Sequence, residues 1–441
     1  MDEDATDSEA PLALTDPTGA TRPRTFQSLR HRNFRLFFTG QLISNSGNWL
    51  TTVALVLLVL HRTGSGFAVG LMTACQFGPI LVLSAWAGLI ADRSNKRRLL
   101  VTTQTLEMVE SFTLAALAFL PHSPTWAFYA TAAAGGCMLA FDNPVRRSFV
   151  TEMVGVDDVP NAVTLYSALV NASRIVGPAL AGLLIVSVGF GWAFTVDAVS
   201  YGFVLVALWM MRPEELRRVP ATPRGRGQVR EGIRYVTQVP ELWISFLMLA
   251  VIGTISYNFS VIFPLFIEQG LGGGDGAYTI VYSLFGLGAL AGAIAVARRS
   301  YASFRNVVIG AALLGVTLGV FAAVPNLTAA YVVVLAVGVT SIMYMTATTA
   351  IVQVRADPQM HGRVLALQTV LLIGTTPIGG PLLGAVADAL GPRSIVVIAA
   401  VAPLLAAGFG AVVGRHLLAR RPRPGPRPAP ERPGAGAPAR D

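Results

Sequence analysis

Gly88-Leu89-Ile90-Ala91-Asp92-Arg93-Ser94-Asn95-Lys96-Arg97-Arg98 is the end of one apolar run, then one acid and four cations, then the start of another apolar run. The flanking runs, 67–91 and 99–120, each exceed the roughly 20 residues a helix needs to cross a hydrocarbon core of about 30 Å. Cations packed into so short a turn are held on one side of a membrane, and Gly88 near the helix end lets a neighbouring backbone approach. Similar apolar runs recur along most of the chain. Of its 441 residues 53% are hydrophobic, the mean hydropathy is +0.58, and only 13% are charged. A soluble domain carries about 25% charged residues. Soluble, secreted and nuclear readings are excluded, and the chain reads as a polytopic membrane protein.

Twelve spans are expected, at 34–60, 67–91, 99–120, 125–144, 163–188, 191–211, 241–268, 277–297, 306–324, 327–351, 364–387 and 394–416. The net charge of +9 follows from 33 basic and 24 acidic residues. With twelve spans, every Lys and Arg except Arg62, Arg174 and Arg393 falls on the side that holds both termini. The positive-inside rule makes that side the cytoplasm, so the basic charge reports topology, not nucleic acid; a plasma-membrane location is expected. The expected layout is an N-tail over 1–33, a six-helix bundle over 34–211, a Pro/Gly/Arg-rich cytoplasmic linker over 212–240, a second bundle over 241–418 and a C-tail over 419–441. Both tails have compositions that cannot bury a core and are expected to be disordered. The N-tail lacks the basic and apolar regions of a cleavable signal peptide. Gly177-Pro178-Ala179-Leu180-Ala181-Gly182 in span five is echoed by Gly380-Pro381-Leu382-Leu383-Gly384 in span eleven, so the halves read as a parallel duplication.

The ordered G-x-x-x-D-R-x-x-K-R spacing of Gly88, Asp92, Arg93, Lys96 and Arg97 resembles the loop signature of the major facilitator superfamily, with Asn95 where that signature usually has Gly. Gly40–Trp49, Asn143–Arg146, Asn171–Pro178 and Gly374–Pro381 resemble the branch that includes the enterobactin exporter. The resemblance covers about residues 30–416. It implies an all-α major facilitator fold of two pseudo-symmetric six-helix bundles, and export of siderophores, antibiotics or other amphipathic molecules, usually driven by protons. The Gly177-Pro178 stretch resembles the antiporter motif of exporters, with Ser173 in place of its first Gly and Ala181 in place of its penultimate one. Pro178 removes a helix hydrogen bond, and the small neighbours allow tight packing. Relatives often carry Asp before the Trp of span one; this chain has Asn48.

Ionisable groups inside spans are costly and are functional candidates by default. Glu107 and Glu110, three residues apart, share one face of span three. They are candidate proton carriers, with Arg174 of span five as the charge partner of one of them or of substrate. A structural Glu–Arg pair is the bland alternative. Asp197, read as a carboxylate near the outer end of span six, is a third proton candidate. Asn45, Asn48, Trp49, Tyr257, Asn258, Tyr344 and Gln368 are candidate cavity residues. Asp142 and Arg146, at the inner end of span four, are expected to join Asp92 in a charge network that breaks and reforms as the protein moves.

No Walker A loop, HExxH or paired Cys/His pattern occurs, and Cys75 and Cys137 lie in separate apolar runs; neither a metal nor a cofactor is expected. The partners expected are a small-molecule substrate, protons and the lipid bilayer, with the chain a monomer. Proton-antiport efflux is the leading reading. Uptake or facilitated diffusion, and a membrane sensor without transport, are the alternatives.

Overall fold

The computed structural model describes residues 26–217, 228–297 and 303–419. The first half contributes α1 (Arg32–Thr63), α2 (Gly66–Arg93), α3 (Lys96–Phe119), α4 (Thr125–Glu152), α5 (Val159–Val188) and α6 (Phe190–Met210). The second contributes α7 (Gln228–Gln238), α8 (Pro240–Ile255), α9 (Phe259–Pro264), α10 (Asp275–Ala297), α11 (Phe304–Ala322), α12 (Leu327–Arg355), α13 (His361–Ile373), α14 (Thr376–Leu390) and α15 (Pro392–Ala419). Among the described residues ten segments are long and apolar enough to cross a bilayer. The helices α3 and α4, of 24 and 28 residues, also have the length to cross, which is consistent with the twelve spans expected.

Local chemistry sets the helix ends. Ser65, Asn95 and Asn326 cap α2, α3 and α12, each side-chain oxygen accepting from a backbone N–H three residues on. The turns after α5 and α14 repeat one conformation: Gly189 and Gly391 have φ of 90° and 87°, a region closed to most side chains. The duplication read from Gly-Pro motifs thus extends to the turns that follow them.

Three boundaries differ from the sequence reading. The 212–240 linker contains α7, which docks on α13 through Arg363–Glu231 at 2.6 Å, while Tyr235 Oη accepts the Asp357 amide at 2.9 Å. Spans seven and eleven are broken, at Ser256–Asn258 and at Gly374–Thr375. Between α9 and Leu271 the chain forms a π-helical turn, Leu265–Gly270. Finally, α4 does not stop at Pro144 but continues to Glu152, which carries Asp142 and Arg146 inside the helix.

Within the first bundle α1 packs on α5 and α6, α2 on α4, and α3 on α4 and α6. In the second α10 packs on α12, α11 on α12 and α15, and α8 on α15. The bundles meet along α2–α14 and α5–α10. We call the end with the chain termini proximal and the other distal. One hydrophobic core runs through both bundles toward the distal end, joining Val53–Leu60 and Phe194 to Phe263, Phe266 and Tyr278. Toward the proximal end each bundle has its own core, around Phe37, Phe149 and Leu208 in one and Val236, Phe246 and Met360 in the other. The bundles are therefore closed together distally and separately packed proximally.

Candidate functional site

Gly47 brings α1 so close to α6 that a Cβ there would meet Ser200 Oγ and Asp197. That approach builds a polar interior in an otherwise apolar bundle. Arg146 of α4 is its centre. Its Nη2 lies 3.3 Å from Glu107 Oε2, its Nη1 donates to Asn45 Oδ1 at 3.2 Å, and its Nε faces Asp142 Oδ2 one turn earlier. Gln104 donates to Glu107 Oε2 at 2.8 Å and Asp142 Oδ1 at 2.9 Å, and Thr103 donates to the same Asp142 oxygen at 2.9 Å. Asn45 in turn donates to Gln41 Oε1 at 2.8 Å. Glu107 takes Arg146 as its charge partner, and among the described residues Arg174 pairs with neither Glu107 nor Glu110. Asp142 and Arg146 reach this interior network because α4 continues through Pro144. The Asp92 side chain lies outside the described residues.

Asp197 is likewise not an interfacial carboxylate. About two helical turns into α6, it is buried and receives Thr51 Oγ1 and Ser111 Oγ, each at 2.7 Å. Ser111 Oγ also lies 3.4 Å from Glu110 Oε2, so one hydroxyl stands between two carboxyl groups. Glu110 packs against Gly135 of α4, where a Cβ would come within 2.9 Å of its oxygen. Asn48 donates to Tyr201 Oη at 3.2 Å.

The seam between the bundles has a different chemistry. Arg174 of α5 lies over the Trp49 ring, 5.1 Å from its centre, and its buried Nε has no hydrogen-bond partner. Among the described residues it forms no ion pair. Trp49 faces Tyr282 of α10 at 6.2 Å. Tyr257 donates to Ser341 O at 2.7 Å and its ring neighbours Tyr344, whose own hydroxyl is buried without a partner. Asn258 donates to Thr254 O at 2.6 Å, leaving its buried Oδ1 unpaired, whereas Gln368 is tied to Thr349 at 2.9 Å.

The motif residues hold the machine together. Gly88 is buried in α2 and Arg93 is exposed at its last turn. Lys96 pairs with Glu152 at 2.7 Å, and Arg97 donates to the carbonyls of Leu208 and Trp209 at the end of α6. Gly177 seats α5 on α1, with Ser46 O 2.6 Å from where its Cβ would be, and Pro178 is buried beside it. Gly182 faces Thr279 of α10 across the seam, while Gly380 and Gly384 set α14 against the backbone of α2 at Gly70 and Gly66. Pro381 follows within the same contact.

Two distal clusters had no sequence signal beyond residue type. Asp388 of α14 accepts from the Gly66 amide at 2.6 Å, the Phe67 amide at 2.9 Å and Ser65 Oγ at 2.7 Å, capping α2 from the other bundle. His61 of α1 meets Asp275 and Glu268 of the second bundle, and Gln269 donates to Gly64 O at 3.0 Å beside them. Only folding brings these residues together.

Residues 24–417 match a family described as transmembrane secretion effector. The chain is 23% identical over 365 residues to the staphyloferrin A transporter of Staphylococcus aureus, covering 81% of this chain and 90% of that one. It is 25% identical over 402 residues to the multidrug efflux pump Tap of Mycobacterium tuberculosis, covering 86% and 92%. A bacterial homolog of the human lysosomal transporter Spinster, solved in an inward-facing and unoccupied conformation, superposes with a TM-score of 0.67 at 15% identity, over 89% of this chain and 99% of that one.

Proposed function

Because the chain belongs to the transmembrane secretion effector family of the major facilitator superfamily, we propose that it is a proton-coupled exporter of a small amphipathic anion, working by alternating access. It is a multi-pass membrane protein; its bacterial transporter relatives support a plasma-membrane location, and the distribution of cations supports cytoplasmic termini. The observation that carries the coupling is a charge imbalance. Glu107 and Asp142 share the guanidinium of Arg146, while Glu110 and Asp197 share the Ser111 hydroxyl and have no ion pair among the described residues. In a low-dielectric interior, carboxyl groups without a cation are neutralised by protons, which makes this cluster a proton store.

The cargo site is the bundle seam. Arg174, set on Trp49, whose ring faces Tyr282, supplies one positive charge beside aromatic rings. That chemistry suits a carboxylate-bearing or otherwise anionic amphipath, the family's efflux role making an antibiotic, siderophore or similar metabolite the class of cargo. With the distal end closed, cargo enters from the cytoplasmic side; distal opening then releases it and admits protons. One proton moving through 100 mV supplies about 2.3 kcal/mol.

The test uses proteoliposomes with the chain inserted inside-out and an acid interior, offered a panel of anionic lipophilic dyes. Accumulation should collapse when a protonophore removes the gradient, and should weaken in Glu107→Gln, Glu110→Gln or Asp197→Asn. Accumulation indifferent to the gradient, or undiminished in all three variants, would overturn the coupling.

A further inference from the structure

We propose that His61, Glu268 and Asp275 form a binding site for a divalent transition-metal ion of the zinc type, completed only while the distal ends of the bundles are closed. One imidazole nitrogen and two carboxylate oxygens lie within 4.8 Å of one another. His61 Nε2 is 2.7 Å from Asp275 Oδ1 and 3.7 Å from Glu268 Oε2. Ligand atoms around a tetrahedral zinc are about 3.3 Å apart, given zinc–nitrogen and zinc–oxygen bonds of about 2.0–2.1 Å. The two observed separations bracket that value, so shifts of about half an ångström complete the site.

A second observation points to a ligand. Glu268 Oε1 is buried and makes no hydrogen bond among the described residues, and Asp275 Oδ1 has only the His61 ring nitrogen beside it. Among the described residues no arginine pairs with the two acids. Arg62 is turned away, donating to Ser123 O at 2.6 Å and resting on the Phe128 ring, and Arg393 donates to Val324 O and rests on Phe266. The basic group facing the carboxylates is His61 alone among the described residues. Its ring plane is set by an edge-on contact with Phe190 at 5.6 Å, and its side chain is 43% exposed, so a dissolved ion reaches it.

Mixed nitrogen and oxygen donors, three from protein with a fourth position for water, favour zinc-like ions over magnesium, which takes oxygen ligands in octahedral geometry. The donors come from both bundles, His61 from α1 and the acids from the π-helical turn and α10. Distal opening separates nitrogen from oxygens, so the ion binds the closed state better and holds the protein in it. External zinc then acts as a brake on the cycle. The site stands on bundle closure and is independent of cargo or coupling ion.

The experiment is calorimetric titration of zinc chloride into the purified full chain in detergent, after removal of any affinity tag and with Cys75 and Cys137 replaced by Ser. One zinc per chain should bind, undisturbed by a tenfold excess of magnesium. His61→Ala and Asp275→Asn should each weaken binding at least tenfold. Gly384→Val, which removes no ligand but wedges α14 from the Gly66 backbone, should weaken it comparably. Asp388→Ala serves the same purpose if that variant fails to fold. No binding, or binding unchanged in His61→Ala, overturns the site. Binding unchanged in a folded wedge variant overturns its dependence on closure.

Discussion

The guanidinium of Arg146 lies 3.3 Å from the Glu107 carboxylate, with 4% and 3% of the two side chains exposed. Asp142, one turn away on α4, shares the same cation. Removing one member of a buried ion pair leaves an uncompensated charge, which costs about 3–5 kcal/mol. Arg146→Ala should therefore unfold in detergent at a markedly lower temperature than the parent, whereas Glu107→Gln, which keeps the shape and the Gln104 contact, should lose less. Equal Tm values for Arg146→Ala and the parent would show that the network is not structural.

Ser111 is the hydroxyl between Asp197 and Glu110. Ser111→Ala removes one of the donors on Asp197, at a stability cost of about 1 kcal/mol. If protons pass between the two carboxyl groups, gradient-driven flux should fall several-fold while cargo binding to Arg174 is unchanged. Flux and binding that fall together would point to a packing effect instead.

Asp388 holds the N-terminus of α2 from the opposite bundle through two amides and a hydroxyl. A charged acceptor is worth about 1.5–3 kcal/mol per bond, and Asp388→Ala removes the group without adding bulk. Hydrogen exchange in a peptide covering Ser65–Ala68 should accelerate by at least tenfold. Unchanged protection there would mean that the distal closure rests on the helix packing alone.

Gly177 and Gly182 sit in one motif but face different partners. A Cβ at Gly177 meets α1 of the same bundle, and one at Gly182 meets Thr279 of α10. Gly177→Leu should abolish transport with the chain still expressed and inserted. Gly182→Ala should leave the Tm of the isolated protein nearly unchanged, yet shift the distal end toward opening, read by the same hydrogen exchange. Retained transport in Gly177→Leu would remove the motif assignment.

Arg174 has an aromatic platform and no ion pair among the described residues. Arg174→Gln should abolish accumulation of anionic dyes and spare the fold. Trp49→Phe should weaken dye binding less than Arg174→Gln does, because Phe keeps a weaker cation–π face under Arg174. Dyes handled equally well by Arg174→Gln would place the cargo elsewhere.

Some of this was legible along the chain, and some was not. The motif glycines were visible as small residues among apolar ones, and Glu107, Glu110 and Arg174 as charges inside spans. Their partners were not. Arg146 follows Pro144, a residue that usually ends or kinks a helix, yet α4 runs on past it and carries Arg146 into the bundle. Asp197 lies near the expected start of its span, and only the packing of α6 shows that it is buried. The helix α7 was hidden in a linker whose composition is that of a connection.

Membrane class, the two halves and the side on which the cations gather follow from the sequence by itself. They depend on the length of apolar runs and on where charge falls between them, and both are one-dimensional quantities. The tertiary structure alone decided which acid meets which base, and that the bundles are closed at the distal end. Arg146 and Glu107 stand 39 residues apart, and His61 meets its acids from the other half of the chain. Such meetings are set by the rotation and register of packed helices, fixed here by close backbone approaches at Gly47, Gly177 and Gly384. A hydropathy pattern records that a helix is buried; the face it turns to each neighbour is decided only when the neighbours are in place.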